Sequence, residues 1–374
     1  GKVMISEISS VELHYLINEL QFLVDAKVDQ IYQPEKEELI LQFHKTGKGK
    51  VILRIIRGKY LYLTEHKGVN PERPPGYCTY LRKKIKGMRL REIKQIGTER
   101  IVELLFESRE EKYKLILEFF NKGNIILMTE ENLILSPLEL QRWADRTIRP
   151  KVDYVFDERI NLKTLTTKQT KTIMKESKQE SLVKCLATDF GLGGTWAEEV
   201  CLISSIDKTI KPGDADEVEL TKAIQLLLGQ ELKPNIVRKG EKVIDILPID
   251  LKQHDKDEKE FKATFNEALD SILTDIKIER AEKEAHKEST KGLSKVQKII
   301  DSQNKIIKQL NKSITENQEK GELIYNNYKQ IDDILNQILK ARETMSWKEI
   351  KEKLKDHKII KNIDEKHGKI SIEI

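Results

Sequence analysis

The stretch Leu90–Met128, LREIKQIGTERIVELLFESREEKYKLILEFFNKGNIILM, decides how the rest of the chain is read. Ile101, Leu104 and Phe106 stand among polar residues. Tyr113, Leu115, Leu117 and Phe119 then alternate with Lys114, Ile116 and Glu118. A period near two suits half-buried antiparallel strands. Ser108-Arg109-Glu110-Glu111 and Asn121-Lys122-Gly123-Asn124 carry the residue types of turns. Between the first two strands lies Gly97-Thr98-Glu99-Arg100, an acid beside an arginine at a strand entry. Neighbours in a regular strand face opposite sides, so only a bend at Gly97 would let the pair serve one site.

Upstream, the spacing predicts strands over Lys27–Tyr32, Glu38–Phe43, Lys50–Ile56 and Tyr60–Thr64, joined by hairpin-length connections. Before them, Ser9-Ser10-Val11-Glu12 opens a helix whose Leu13, Leu16, Ile17, Leu20, Leu23 and Val24 share a face. Glu12 stands three residues after Ser9, so it reads first as half of a capping box. The run KTGKGK at 45–50 lacks phosphate-loop spacing and leads into a strand, as a hairpin tip would. A proline-rich loop at 70–76 precedes a helix over Tyr77–Lys86 that carries Arg82, Lys83, Lys84 and Lys86. These cations beside Tyr77 and Tyr80 are a candidate phosphate-contacting patch; the plain alternative is a solvated helix face. Gln141–Pro150 is a second basic segment, with Arg142 and Arg146.

Downstream, Leu162–Leu186 reads as mostly helical. Asp189–Val200, DFGLGGTWAEEV, reads as a helix-hairpin-helix turn, with Gly191, Gly193 and Gly194 able to offer backbone N–H groups to a phosphate. Glu198 and Glu199 oppose that use, so a purely structural helical pair fits the same residues. A helix over Leu220–Leu228 and a strand over Lys242–Leu247 follow. From Lys259 the chain reads as one long helix. Phe265, Ile272, Leu293, Ile300, Ile307 and Ile314 fall at multiples of seven, and Val296, Gln303 and Leu310 fill the second seam position. Glu279–Lys291 is almost wholly polar and carries no seam. A break at Gly321 is expected, then helices over Leu323–Leu339 and Trp347–Leu354, and strands over Lys358–Ile363 and Lys369–Ile374.

The 374 residues exceed one compact core, so two or three domains are expected. Charged residues make up 34% against 38% hydrophobic, yet the net charge is only +5, so nucleic-acid binding would need local clustering. Cys78, Cys185 and Cys201 are far apart, which excludes a four-cysteine zinc site and fits a reducing cytoplasm. No segment approaches a membrane span, and the first residues lack the pattern of a cleaved signal. No HExxH, GxSxG or strand-following GxGxxG occurs, so no catalytic residues, metal or cofactor are expected.

Taken in order, the SSVEL helix, PPGYCTYLRKKIKG, QIGTERIVELLF, LEFFNKGNIIL, the GLGGTWAEEVCL hairpin, the long heptad helix, and KGELIYNN leading to SWKEI span nearly the whole chain. This order resembles the NFACT family, the group of NEMF and bacterial RqcH, in an archaeal form. The resemblance implies an α+β, multidomain protein. It places a β-rich NFACT-N domain related to the DNA glycosylase N-domain at 1–160, and a helix-hairpin-helix domain at 161–257. A coiled-coil arm helix at 258–314 and a small middle domain at 315–374 complete it. It implies a non-enzymatic, cytoplasmic factor of ribosome-associated quality control. Its partners would be the large ribosomal subunit through rRNA, the peptidyl-tRNA that obstructs it, and tRNA recruited for alanine tailing of the nascent chain. Glu12 matches the family's acidic residue in the first helix, and Glu99-Arg100 its Asp-Arg pair, so these three are the implied tRNA-binding residues. Both acids are Glu where the family usually has Asp. A second coiled-coil strand and an NFACT-R domain are expected to be missing. That would leave the heptads without a partner, open to pairing between two molecules, and the tailing cycle incomplete. The competing classes are a glycosylase-type nucleic-acid enzyme, whose terminal Pro-Glu and zinc finger are not found, and a fibronectin-binding adhesin or scaffold.

Overall fold

The computed structural model describes residues 7–157 and 159–374. It forms an α+β structure around a large antiparallel sheet, and divides into Gly1–Arg280 and Ala281–Ile374.

Helix α1 (Ser10–Glu19) starts with its capping box formed: the Ser9 hydroxyl accepts from the Glu12 N–H at 3.1 Å, and Glu12 accepts from the Ser9 N–H at 2.8 Å. Strands β1 (Lys27–Tyr32), β2 (Glu38–Lys45), β3 (Gly49–Ile56) and β4 (Tyr60–Thr64) make one meander. Helix α2 (Gly76–Ile85) leads into a second, made of β5 (Arg89–Gln95), β6 (Ile101–Glu107), β7 (Lys112–Glu118), β8 (Asn124–Thr129) and β9 (Ile134–Pro137). The order β4-β3-β2-β1-β5-β6-β7-β8-β9 joins the meanders through antiparallel β1 and β5, at the pair Lys27↔Arg89. Where the β3–β4 and β7–β8 turns abut, a Cβ on Gly123 would lie 2.2 Å from the Gly58 backbone nitrogen. Only two glycines let these backbones touch.

A short hairpin follows, β10 (Gln141–Arg142) with β11 (Thr147–Ile148), then helices α3 (Thr167–Glu176), α4 (Leu182–Thr188), α5 (Gly194–Ser204) and α6 (Glu217–Leu228). A three-stranded sheet comes next, built from β12 (Asn235–Lys239), β13 (Lys242–Leu247) and β14 (Glu258–Phe261). Helix α1 is the wall between two cores. Its Leu13, Leu16 and Ile17 pack on the large sheet, while Val11 and Tyr15 pack among α4, α5 and α6. The Tyr15 hydroxyl donates to the Leu227 carbonyl, tying α1 to the end of α6.

The long helix α7 (Phe265–Asn326) begins later than the sequence suggests. Lys259, Glu260 and Phe261 pair with Val237, Ile236 and Asn235 as a strand instead. Glu19 then accepts the free N–H groups of Phe265, at 2.7 and 2.8 Å, and of Asn266, at 3.2 Å, capping α7 from the far end of α1. The root of α7 is core: Phe265, Ala268 and Leu269 are fully buried.

In the second unit the expected break at Gly321 does not occur. Glycine inside a helix costs only about 1 kcal/mol, and α7 runs on to Asn326, where Asn327 turns the chain into α8 (Tyr328–Thr344). Helix α9 (Trp347–Lys353) and the hairpin β15 (Ile360–Asp364) with β16 (Lys369–Ile372) close a small core of Ile334, Ile338, Ile350, Ile360 and Ile363. Leu293, Ile300, Ile307 and Ile314 on α7 are exposed. Among the described residues, no helix is long and apolar enough to cross a membrane.

Candidate functional site

The first turn of α1 meets two loops that are distant in sequence. Gln95, buried at the end of β5, donates to the Ser10 carbonyl at 3.0 Å and the Glu99 carbonyl at 2.8 Å. Ser10 Oγ donates to the Gly191 carbonyl at 3.0 Å. The start of α1, the 96–100 turn and the Gly191 turn thus become three walls of one cleft of about 1000 Å3. Residues 96–100 lie outside both strands, with Gly97 at φ +56°, so the bend exists and both Glu99 and Arg100 line the cleft.

Arg100 is clamped. Its Nη2 pairs with Glu7 at 2.8 Å and donates to the Phe119 carbonyl, while Phe119 N–H donates back to the Arg100 carbonyl at 2.9 Å. Burial pushes the Glu7 carboxyl up, but the Arg100 hydrogen bond and charge outweigh it and hold Glu7 below its usual range. Glu12 is 7% exposed, and burial raises its pKa against hydrogen bonds from Ser9 and Trp196 and the nearby charge of Arg100. Glu99 is raised by burial too, opposed by Arg159, whose Nε lies 3.8 Å away. Glu12 therefore does both things the sequence offered: it caps α1 and lines the cleft. Glu12, Glu99 and Arg100 share that cleft, though Arg100 forms its ion pair with Glu7.

Arg146 also reaches the lining, but its guanidinium serves a structural task. It pairs with Glu118, which is 1% exposed, among the rings of Phe120, Trp143 and Tyr154, 5.3, 5.9 and 5.7 Å away. Tyr154 OH adds a hydrogen bond to Glu118 at 2.8 Å. The turn residues Gly191, Gly193 and Gly194 form the opposite wall. Gly191 and Gly193 sit at φ +71° and +80°, and α5 begins at Gly194 with its first N–H groups beside the cleft. Glu198 and Glu199 turn elsewhere: Glu198 pairs with Lys208 at 3.0 Å, and Glu199 accepts the Lys252 N–H at 2.8 Å. The α2 residues Arg82, Lys83, Lys84 and Lys86 lie outside the lining, as does Arg142 on its exposed hairpin. Arg82 donates to the Ile31 carbonyl at 2.8 Å, whereas Lys83 and Lys86 are exposed.

Sequence reasoning missed Glu7, Gln95 and Asp245. Gln95 carried a faint signal, a polar residue at an inward strand position. Asp245 carried none: it enters the cleft from β13, more than two hundred residues after Glu12. Among the described residues, no group of three or more His, Cys, Asp or Glu is placed to hold a metal ion. The geometry suits recognition: fixed arginines, raised carboxyls and a helix start around an open cleft.

The profile of NFACT N-terminal and middle domains matches residues 9–370. The chain is 33% identical, over 99% of its own length, to the archaeal Rqc2 homolog aRqcH of Methanocaldococcus jannaschii, and spans 58% of that relative. It is 24% identical, over 93% of its length, to the human ribosome quality control complex subunit NEMF, and spans 35% of that protein. In fold it is similar to the N-terminal part of the fibronectin/fibrinogen-binding protein of Streptococcus suis, at TM-score 0.59 and 22% identity, covering 72% of this chain and 100% of that one. On the extent of the family match and of the archaeal relative, the chain belongs to the NFACT family.

Proposed function

We propose that this chain works in ribosome-associated quality control as a cytoplasmic, non-enzymatic RNA-binding factor. It engages large ribosomal subunits obstructed by peptidyl-tRNA, and its cleft recruits tRNA for alanine tailing of the nascent chain. The observation that carries this reading is the convergence of Glu12, Glu99, Arg100 and the Gly191–Gly194 turn on one cleft. The names of the archaeal and human relatives support it. We further assign the β-rich part, 1–160, to a glycosylase-N-like NFACT-N domain and 161–257 to a helix-hairpin-helix domain. The arm is α7, which runs Phe265–Asn326 where the sequence predicts 258–314, and the elements from α8 onward are the middle domain. Arg82, Lys83, Lys84, Lys86 and Arg142, outside the cleft, would contact rRNA phosphates.

Co-sedimentation tests the reading. Large subunits carrying nascent-chain tRNA should recover the protein, and vacant subunits should recover clearly less; equal recovery would count against it. The exposed seam of Leu293, Ile300, Ile307 and Ile314 is unfavourable in water. We propose that it either pairs arms between two molecules, with Gln303 weakening the seam locally, or leaves the distal arm mobile. Analytical ultracentrifugation showing a monomer at every concentration would refute the pairing.

A further inference from the structure

The cleft is offered here to a polyanion, yet its wall carries acids from several elements. Three of the six among the described residues, Glu7, Glu99 and Asp157, face an arginine. Glu7 pairs with Arg100 at 2.8 Å, and Glu99 faces Arg159 at 3.8 Å. Glu12 and Asp245 are different. Glu12 is buried on α1, and Asp245 on β13 is about a quarter exposed to the cleft. The imidazole facing Asp245 most directly is that of His254, whose Nε2 stands 3.9 Å away and whose Nδ1 lies 2.7 Å from Asp257. The other groups facing the pair are Tyr60 from β4 and Arg100 from the 96–100 turn. Phosphates cannot settle beside two charged carboxylates that no arginine or lysine pairs in a partly dehydrated wall.

We propose that Asp245 is a further RNA-facing residue of this cleft, and that RNA binds the form in which Asp245 carries a proton and serves as a hydrogen-bond donor. This rests on the tRNA-recruiting reading above. Several features agree. Burial, followed by the charge of Glu12, pushes the Asp245 carboxyl up to about 7, so the proton is available near neutrality. Its Oδ1 is already committed to the Ile246 N–H at 3.0 Å, which leaves Oδ2, 3.9 Å from His254 Nε2, to hold the proton. Glu12, which burial also raises, already holds the Ser9 N–H and the Trp196 side chain and is less free to turn to a ligand. Burial drives the Tyr60 hydroxyl upward, out of the neutral range. His254 would add positive charge on protonation, so its contribution must be separated by experiment.

The test is binding of fluorescently labelled bulk tRNA to the full chain at fixed ionic strength from pH 5.5 to 8.5. Affinity should fall on the alkaline side of neutrality, by roughly three- to tenfold per pH unit, as linkage to one proton requires. Asp245→Asn keeps the acceptor for Ile246 and mimics the protonated acid. It should flatten the profile and bind at pH 8 about as tightly as the parent chain does at pH 6. His254→Gln should keep the slope. Calorimetry of the parent chain in PIPES and in Tris at pH 7.5 needs no variant and should show uptake of a substantial fraction of one proton. A slope unchanged in Asp245→Asn, a slope lost in His254→Gln, or no proton uptake overturns the proposal. If Arg100→Ala still weakens binding in that case, the tRNA reading stands. No tRNA binding by the parent chain at any pH overturns both.

Discussion

The cleft and the outer face of α2 are both rich in cations, and they use them in opposite ways. In the cleft two arginines are committed, Arg100 to Glu7 and the Phe119 carbonyl and Arg146 to Glu118 and three rings, while Arg159, two-thirds exposed, faces Glu99 at 3.8 Å. On and just after α2 the cations are committed unevenly. Arg82 donates to a strand carbonyl and Lys84 lies over Tyr80 and Tyr113, while Lys83 and Lys86 stand in solvent. A fixed cation selects a ligand by geometry, because its donors are already aimed. A free one adds only attraction, which salt screens.

The largest effect should separate two arginines four residues apart in sequence. Arg146→Ala strips the ion pair from Glu118, whose side chain is 1% exposed. Removing one partner of a buried pair costs about 3–5 kcal/mol. Arg142→Ala, on the exposed hairpin, should stay within about 0.5 kcal/mol. Denaturant unfolding measures both. The Arg146→Ala deficit should also shrink as pH falls, because burial already raises Glu118 and, without its cation, the carboxyl will take a proton in the folded state. Equal deficits in the two variants would break the comparison.

Next comes ligand binding. Hydrogen bonds to charged groups are worth about 1.5–3 kcal/mol, so Arg100→Ala should weaken tRNA binding by about tenfold to a hundredfold. Arg100→Lys should restore little, since an ammonium cannot span Glu7, the Phe119 carbonyl and a ligand together. Full rescue by lysine, read by filter binding, would mean that the cleft senses charge alone.

Asp245→Asn should make the fold more stable, which marks Asp245 as a residue kept for something other than stability. A carboxyl raised to about 7 in the folded chain is least unfavourable in acid. Its penalty is absent below the unfolded value near 4, grows as pH rises toward 7, and is constant above. With a quarter of the side chain in solvent, about 1–3 kcal/mol is a fair discount on the full linkage value. The asparagine variant should gain that at pH 8 and nearly nothing at pH 4, by thermal unfolding. A gain independent of pH would point to packing instead.

How much of this was legible in the sequence follows from how local each signal is. The capping box at Ser9 and Glu12 and the strand around Tyr113–Leu117 are short-range and both form, but β7 is buried on both faces where alternation suggests one, with Ile116 and Glu118 inside. The turn at Gly191 could be named from its glycines. That Gln95 stitches it, through Ser10 and the Glu99 carbonyl, to the Glu99-Arg100 turn could not, because those contacts join residues up to about 180 apart. The start of α7 misled for a related reason. Lys259–Phe261 has no strand-like alternation, and only pairing with β12 makes it a strand. Charge was the least legible signal: Arg142 and Arg146 look alike in sequence, and only the buried Glu118 tells them apart.

The smallest effects belong to Lys83 and Lys86. Both are exposed, so replacing either with alanine should leave stability within about 0.5 kcal/mol. Their contribution to binding is screened attraction, best seen against salt. If each meets one phosphate of a large-subunit RNA fragment, each alanine change should lower the slope of log affinity against log salt by roughly one unit. It should do so equally for RNAs of different sequence, since a phosphate contact carries no base information. Arg82→Ala mixes two effects, because its guanidinium also holds the Ile31 carbonyl at 2.8 Å; a drop in slope there should come with lost stability. If Lys83→Ala and Lys86→Ala leave the slope unchanged while Arg100→Ala lowers it, RNA contacts the cleft alone, and the outer face of α2 is simply a solvated helix surface.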